Sequence, residues 1–221
     1  LERRNRLKEL VDNMPDNYRL ITTESDFYDM IDVLAKEDLI VFDVETTGTD
    51  VYNDKIVGHV LSATSVDTHY YVPTDHDDAS MSQLGRVFVA EELRSIYEDK
   101  TIKKIAHNAK FDIQMLKNDL GIELGGLYWD TMEAMKLLNE NEPSYALKTL
   151  ATKYLRDNSY TYGELFGQVG FNEIGLETAL AYAAKDGDLT YRLYKFQRHH
   201  LAKHGNMLDY FLNVEMPLMT I

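Results

Sequence analysis

Two carboxylates close an apolar run near residue 40, where burying charge is expensive. The run 39–42 (LIVF) is typical of a buried strand, and Asp43 and Glu45 follow at its end. Residues two apart on a strand face the same side, so both carboxylates converge. Such a pair raises its own pKa values unless a cation lies between the acids, and hard divalent cations prefer carboxylate oxygens. Taken alone, the pair is explained more simply as two solvated acids at the end of a strand.

A second polar group follows a short predicted strand, in the stretch AHNAKFD at 106–112. Asn108 is placed to cap the helix that begins there, and Asp112 lies four residues on, on the same helix face. A plain N-cap with a surface aspartate explains this stretch by itself. His107 is adjacent, and both a substrate contact and a packing role remain open for it.

A third group lies on a long predicted helix, in the stretch YAAKDGDLTYRLY at 182–194. Tyr182 and Asp186 are four residues apart and therefore share one helix face. Gly187, a weak helix former beside Asp186, indicates that another part of the protein approaches the backbone there. An exposed polar face is again the simpler explanation when this stretch is taken alone.

The three groups together predict a site for divalent metal ions. Asp43, Glu45, Asp112 and Asp186 would repel one another strongly without cations, whereas two divalent ions balance four acids. Paired ions stabilise the attacking and leaving oxygens of phosphoryl transfer. The predicted chemistry is hydrolysis of a phosphodiester by a metal-activated water, with Tyr182 orienting that water by a hydrogen bond.

Composition narrows the class of protein. The chain has 221 residues, no cysteine, 44% hydrophobic residues and a formal net charge of −14. Disulfides and cysteine-based zinc sites are therefore excluded, and no apolar run approaches membrane-spanning length. The acidic charge argues against a binder that coats nucleic acid through a basic face. Lys110, inside the second motif, is the best candidate for a local phosphate contact.

The elements that must position these residues follow from hydrophobic periodicity. Strands are predicted at 39–44, 55–66, 68–74, 103–108 and 127–129. Helices are predicted at 22–38, 88–99, 109–119, 130–139, 145–156 and 176–204, after an N-terminal helix and loop. Three consecutive strands followed by alternating strands and helices indicate an α/β fold with a mixed sheet.

The order of the motifs resembles a known family. Asp-x-Glu at a strand end, Asn-x-x-x-Asp after a later strand and Tyr-x-x-x-Asp on a late helix resemble the motifs of the DEDD 3′–5′ exonucleases, tyrosine subtype. Stretches such as FDVETTGTD, IAHNAKFDIQML and YAAKDGDLTYRLY are similar to the proofreading domain of family A (DNA polymerase I-type) polymerases. The similarity covers roughly residues 38–204.

The resemblance implies a fold and a metal site. The expected fold is an RNase H-like five-stranded mixed sheet flanked by helices. The expected cofactors are two divalent cations, Mg²⁺ or Mn²⁺, held by Asp43, Glu45, Asp112 and Asp186. Tyr182 would position the nucleophile.

The resemblance also implies contacts with a single-stranded or frayed DNA 3′ end. Thr46 would lie beside the terminal nucleotide, Asn108 would frame the strand end, and Tyr162 would stack on a base, a contact worth ~1–3 kcal/mol. Thr49 departs from the family, which usually carries a leucine wedge there. This departure concerns strand-end melting rather than the chemistry.

Three segments are expected along the chain. They are an N-terminal helical or linker segment at 1–22, the exonuclease domain at 23–206, and at 207–221 the truncated start of a connection to a polymerase domain. The expected location is the cytoplasm of a bacterial or phage-infected cell, with no membrane partner.

Two other functions remain open. A stand-alone exoribonuclease similar to ribonuclease D shares the motifs, and the stretch VEMPLMTI favours the polymerase context over it. A degenerate, non-catalytic exonuclease module is disfavoured because all four acids are present.

Overall fold

The computed structural model describes residues 2–219, and within them six strands form one sheet. The strands are β1 (Tyr18–Leu20), β2 (Leu39–Thr46), β3 (Ile56–Ala63), β4 (Thr68–Pro73), β5 (Lys103–Ala106) and β6 (Leu127–Asp130). The first helices are α1 (Glu2–Asp12), α2 (Glu24–Leu34), α3 (Arg86–Tyr97), α4 (Ala109–Leu120) and α5 (Thr131–Leu138). The later helices are α6 (Leu147–Leu150), α7 (Tyr162–Leu165), α8 (Leu176–Ala202), α9 (Met207–Tyr210) and α10 (Met216–Leu218). Shorter helical turns are the 3₁₀ turn Phe171–Glu173 and the π-helical turns Ala151–Leu155 and Phe211–Glu215.

The sheet is mixed, and β2 lies at its centre. The strand order is β1-β4-β3-β2-β5-β6. The pairs β2–β3 and β3–β4 are antiparallel, whereas β5 is parallel to β2, β6 to β5 and β1 to β4. The predicted α/β fold with helices flanking a mixed sheet is confirmed. The sheet exceeds the expected five strands by the three-residue β1, because a strand so short carries no alternating pattern in the sequence.

Side chains of β2 alternate between two cores. Ile40, Phe42 and Val44 belong to the core that α2, α3 and α4 cover. Val41 packs on the opposite face, in a core that includes residues of α8. Because successive strand residues point to opposite faces, Asp43 and Glu45 share the face of Val41 and are directed toward α8.

Helix α8 lies unusually close to the sheet at Gly187. A Cβ atom at this position would stand 2.6 Å from the Ser62 Oγ atom and 3.0 Å from the Val60 Cγ1 atom. Only glycine permits that approach without displacing the helix. The close backbone approach predicted at Gly187 is therefore confirmed, and it brings the neighbouring Asp186 to the sheet.

The chain ends differ in detail from the sequence-based expectation. The predicted helix at 145–156 is a short helix, α6, that continues as a π-helical turn. The N-terminal segment forms α1 and then contributes β1, with Tyr18 buried in a core beside α8. Residues 207–218 form helical turns, whereas the truncated end of the connection expected at 207–221 lies outside the described residues. The segment boundaries at 22 and 206 stay predictions.

No helix within residues 2–219 combines the length and hydropathy that a membrane span requires.

Candidate active site

Three of the predicted acids meet where β2 ends against α8. Carboxylate oxygens of Asp43, Glu45 and Asp186 all lie within 4.8 Å of one another, and each residue is half-buried. The strand supplies two of them from one face, and α8 supplies the third because Gly187 lets it approach. The convergence predicted from strand and helix spacing is therefore present for these three residues.

Asp112 reaches the same place from the other side of the sheet. It lies in the first turn of α4, it is 2% exposed, and its Oδ1 accepts a hydrogen bond from the Val44 amide at 3.2 Å. That amide also donates to Asp43 Oδ1 at 2.9 Å. Strand β5 pairs with β2 only as far as Val41, which leaves the end of β2 to these carboxylates. Asp112 thus adjoins Asp43 but is not a member of the three-residue group.

The pKa values of the cluster reflect acids held together with little water. Burial raises the pKa of Asp43 to about 7, and the charge of Asp186 adds to this increase. Burial also raises the pKa of Glu45 and of Asp112 well above their ordinary values, with the charge of Asp43 contributing to both. Acids of this kind are ionised together only when a cation compensates them.

Tyr182 stands beside the acids in an aromatic environment. It is 8% exposed and lies on α8 one turn before Asp186. Its ring meets Phe166 edge-on at 5.4 Å and Tyr162 edge-on at 5.8 Å, measured between ring centroids. Burial and the nearby Asp186 raise the pKa of Tyr182 well above its ordinary value, so the phenol keeps its proton.

A lysine that the sequence analysis did not select lies within the cluster. Lys148 of α6 is 8% exposed, and its Nζ donates a hydrogen bond to Asp186 Oδ1. The same ammonium lies 4.6 Å from the centroid of the Tyr182 ring. The sequence shows Lys148 only as a lysine near Leu147 and Leu150 in a predicted helix. Its partner Asp186 is 38 positions away, so no local pattern indicates the pairing.

The predicted substrate residues surround this cluster in different ways. Thr46 is half-buried, and its hydroxyl donates to the Gly48 carbonyl at 2.6 Å. Asn108 and Lys110 are exposed at the start of α4, and Lys110 has no ion-pair partner within residues 2–219. Tyr162 is half-buried against Tyr182. Their roles toward a substrate stay predictions.

The expectation that the Asn108 side chain caps α4 is wrong. Asn108 has φ 63° and ψ 48°, in the left-handed region, and its side chain makes no capping hydrogen bond. The buried Asp130 takes that place, because its carboxylate accepts from the Asn108 amide at 3.2 Å and from the Ala109 amide at 2.7 Å. Sequence reasoning missed Asp130, although it stands at the end of β6 just as Asp43 stands near the end of β2.

The question left open for His107 is answered by its hydrogen bonds. Its Nδ1 lies 2.8 Å from Thr131 Oγ1 and its Nε2 lies 3.0 Å from the Tyr145 carbonyl oxygen. Both ring nitrogens are therefore engaged within the protein, which is a packing role. Thr49, the departure from the family pattern, is exposed in the loop after β2.

The donor set fits a hard divalent cation. Three carboxylates offer only oxygen atoms, which is the ligand chemistry of Mg²⁺ and Mn²⁺. The raised pKa values of Asp43, Glu45 and Asp112 indicate excess negative charge that such a cation would neutralise. Asp43, Glu45 and Asp186 are thus the residues that could hold a metal ion.

Comparison with known proteins identifies relatives among polymerases. The sequence profile of a 3′–5′ exonuclease family matches residues 18–202. DNA polymerase I of Pseudomonas aeruginosa is 30% identical over 211 residues, covering 93% of this chain and 23% of that protein. DNA polymerase I of Borreliella burgdorferi is 31% identical over 209 residues, covering 94% of this chain and 22% of that protein. The chain therefore spans less than a quarter of the length of these relatives.

Solved structures show the same fold at lower sequence identity. The Nibbler EXO domain of Aedes aegypti has a TM-score of 0.69 at 16% identity, covering 95% of this chain and 98% of that one. NrnC of Brucella melitensis with bound Mg²⁺ has a TM-score of 0.62 at 19% identity, covering 90% of each chain. These similarities confirm the RNase H-like α/β fold.

Proposed function

Because the chain belongs to the 3′–5′ exonuclease family of the A-type DNA polymerases, we propose that it hydrolyses the terminal phosphodiester at the 3′ end of a DNA strand. The product would be a nucleoside 5′-monophosphate. Within a full-length polymerase, this activity would remove a misincorporated nucleotide from a frayed primer end.

One observation carries the proposal. Carboxylate oxygens of Asp43, Glu45 and Asp186 lie within 4.8 Å of one another, so the ligand atoms that this cluster offers are all oxygens. A fold that gathers such acids needs a compensating cation, and acids gathered at this cost in stability are typical of functional sites. Asp112 adjoins the cluster through Asp43 and completes the proposed ligand set.

Two divalent cations, Mg²⁺ or Mn²⁺, are the proposed cofactors. When bound, they would supply electrostatic stabilisation of the attacking and leaving oxygens. The fit of the donor set supports this cofactor class, as does the Mg²⁺ bound in the NrnC structure. The number of ions is part of the proposal and follows from the charge balance of four acids.

Tyr182 is proposed to orient the attacking water. Its raised pKa keeps the hydroxyl protonated, so the hydroxyl can donate a hydrogen bond, and its packed aromatic neighbours hold the ring in place. The oxygen of the water is thereby directed at phosphorus without Tyr182 acting as a base. Position rather than proton transfer is the contribution of this side chain.

The substrate strand is proposed to enter past the start of α4. Lys110 is exposed and available for a phosphate oxygen, and Asn108 is exposed beside it. Tyr162 offers an aromatic ring for stacking on a base, and Thr46 would lie beside the terminal nucleotide. Contacts to phosphate and to a base face need no particular sequence, which suits the removal of any mismatched end.

The relatives support a polymerase context. Both are DNA polymerase I, and this chain spans less than a quarter of either. We propose that residues 207–221 lead toward a polymerase domain of the same full-length chain. The DNA end would then pass between the two domains.

The experiment uses matched DNA and RNA oligonucleotides labelled at the 5′ end. With Mg²⁺ present, we expect a ladder of single-nucleotide shortening from the 3′ end of DNA and release of 5′-monophosphates. A blocked 3′ end should stop digestion. Faster digestion of RNA than of DNA would replace the proposal by a ribonuclease D-like exoribonuclease. No digestion of either strand would leave the non-catalytic module.

A further inference from the structure

Lys148 is a cation built into the acidic cluster. Its Nζ donates to Asp186 Oδ1 and lies 4.6 Å from the centroid of the Tyr182 ring. The exposed fractions of the two side chains are 9% for Lys148 and 15% for Asp186. A lysine this buried is rare unless it is paired, and its pairing here is with a proposed metal ligand.

We propose that Lys148 is a tethered cation that stabilises the carboxylate cluster and competes with a divalent ion for Asp186. This inference rests on the proposed metal-dependent function. Asp43, Glu45 and Asp186 place three carboxylates within 4.8 Å, and one ammonium offsets part of their repulsion. A metal ion that takes Asp186 Oδ1 must displace the ammonium from it.

A neighbouring cavity provides space for the displaced side chain. Lys148 and Tyr182 line a cavity of ≈ 320 Å³ that extends toward α1. Asp157 lines the same cavity but already pairs with Lys185 and Arg192. The carboxylates of Glu9 and Asp188 line it without a lysine or arginine partner in the described part of the chain. An ammonium that leaves Asp186 would therefore find room and the opposite charge of Glu9 and Asp188, so the exchange does not require a buried unpaired lysine.

Lys148 also fixes Tyr182 relative to Asp186. The ammonium contacts the ring by a cation–π interaction and the carboxylate by a hydrogen bond, and the two partners are one helical turn apart. Removal of the charge should therefore have two opposite effects. Metal affinity should increase because a competitor is lost. Turnover should decrease because an ammonium that leaves Asp186 would keep its contact with the Tyr182 ring, which lines the same cavity, and the variant lacks this restraint on the ring. Lys148 is thus a positioning residue.

The test is a titration of the 221-residue chain with Mn²⁺ by calorimetry, in parallel with the exonuclease rate at saturating Mn²⁺. Lys148→Met keeps the length and apolar stem of the side chain. We expect its Mn²⁺ dissociation constant to fall about tenfold, the effect of one unit charge near a divalent ion in a solvated site. We expect kcat to fall about tenfold as the water-orienting tyrosine loosens.

Lys153 offers a matched control on the adjoining π-helical turn. It pairs with the buried Glu142 at 2.8 Å and lies 5.2 Å from the centroid of the Tyr154 ring, so it repeats the same contacts away from the site. Lys153→Met should leave both the Mn²⁺ dissociation constant and kcat within about twofold of the parent chain. Lys148→Arg, which retains a cation, should keep the Mn²⁺ affinity near that of the parent.

The outcomes separate this inference from the proposed function. Unchanged or weaker Mn²⁺ binding by a folded Lys148→Met chain, with the parent chain binding Mn²⁺, overturns the competition alone. No Mn²⁺ binding by the parent chain overturns the metal-dependent function itself. If Lys148→Met does not fold, Lys148→Gln, which keeps a donor for Asp186 without the charge, must bind Mn²⁺ more tightly than the parent chain.

Discussion

In the presence of a chelator, raising the pH from about 5 to about 8 is expected to destabilise the protein through its acidic cluster. The pKa of Asp43 is raised from 3.8 to about 7 by burial and by Asp186. A carboxyl with a raised folded-state pKa contributes stability below its unfolded pKa. This contribution is lost as the pH rises through about 7, because the folded state must then hold the charged form.

The magnitude follows from the size of the shift. Of the shift of about three pKa units, about two lie between pH 5 and the folded-state pKa of about 7, and each corresponds to about 1.4 kcal/mol, so Asp43 alone accounts for at most about 3 kcal/mol over this range. Glu45 and Asp112 shift in the same direction. Since the three acids share one environment and Lys148 offsets part of their charge, we expect a total loss of about 2–4 kcal/mol rather than the sum.

The assay is urea unfolding followed by circular dichroism, with Asp43→Asn as the comparator. The variant has the same shape and lacks the titrating group. Burial lowers the pKa of His59 to about 3 and that of His107 to about 4. Because both imidazoles are buried in the neutral form, the free energy of unfolding decreases as the pH falls, and this decrease is the same in both proteins. The difference between the parent and the variant therefore reports the titration of Asp43 together with the part of the Glu45 and Asp112 shifts that its charge causes. Added Mg²⁺ should restore the parent at pH ~8 more than the variant.

An identical pH dependence of unfolding in the two proteins would contradict this expectation. So would a parent chain that, with chelator present, becomes more stable than the variant as the pH rises. Either result would mean that the folded state holds the charged Asp43 without cost, and that the cluster needs no cation.

Three further substitutions test the geometry around the cluster. Gly187→Ala places a Cβ atom 2.6 Å from Ser62 Oγ. The overpacking should cost about 1–3 kcal/mol, which outweighs the ~1 kcal/mol that alanine gains over glycine in helix propensity. Urea unfolding measures the net loss of stability. The Cβ of the control Gly163→Ala meets nothing within 4 Å, and this change should not destabilise. Asp130→Ala removes the buried carboxylate that accepts hydrogen bonds from four backbone amides. It should lower the free energy of unfolding by about 3–5 kcal/mol in the same assay. A loss under about 1 kcal/mol would contradict this role of Asp130. Tyr182→Phe keeps the ring and its cation–π contact but removes the hydroxyl that orients the water. It should lower kcat about 10–100-fold with Mn²⁺ affinity unchanged, and an unaltered kcat would remove Tyr182 from the mechanism.

Local patterns in the sequence predicted the parts of the fold that have strong local signals. The apolar run before Asp43 predicted the central strand, and the two-residue spacing to Glu45 placed both acids on one face. The spacing of Tyr182 and Asp186 predicted their shared face on α8, and Gly187 predicted the close approach. In each case, the period of the element fixed the direction of the side chain.

The remaining features depend on contacts between distant segments. Lys148 and Asp186 are 38 positions apart, and no local pattern pairs them. Asp130 replaces Asn108 as the acceptor at α4 because β6 ends beside that helix, which only the strand order reveals. Strand β1 is too short to show alternation, and it forms because β4 offers a free edge for pairing.

The most direct test of the central claim is Mg²⁺-dependent digestion of single-stranded DNA by the parent chain and by the double variant Asp43→Ala/Glu45→Ala. We expect digestion from the 3′ end by the parent, none by the variant, and unchanged far-UV circular dichroism, since removing crowded acids does not disturb the core. Retained digestion by the folded double variant would contradict the assignment of this cluster as the metal-binding catalytic centre.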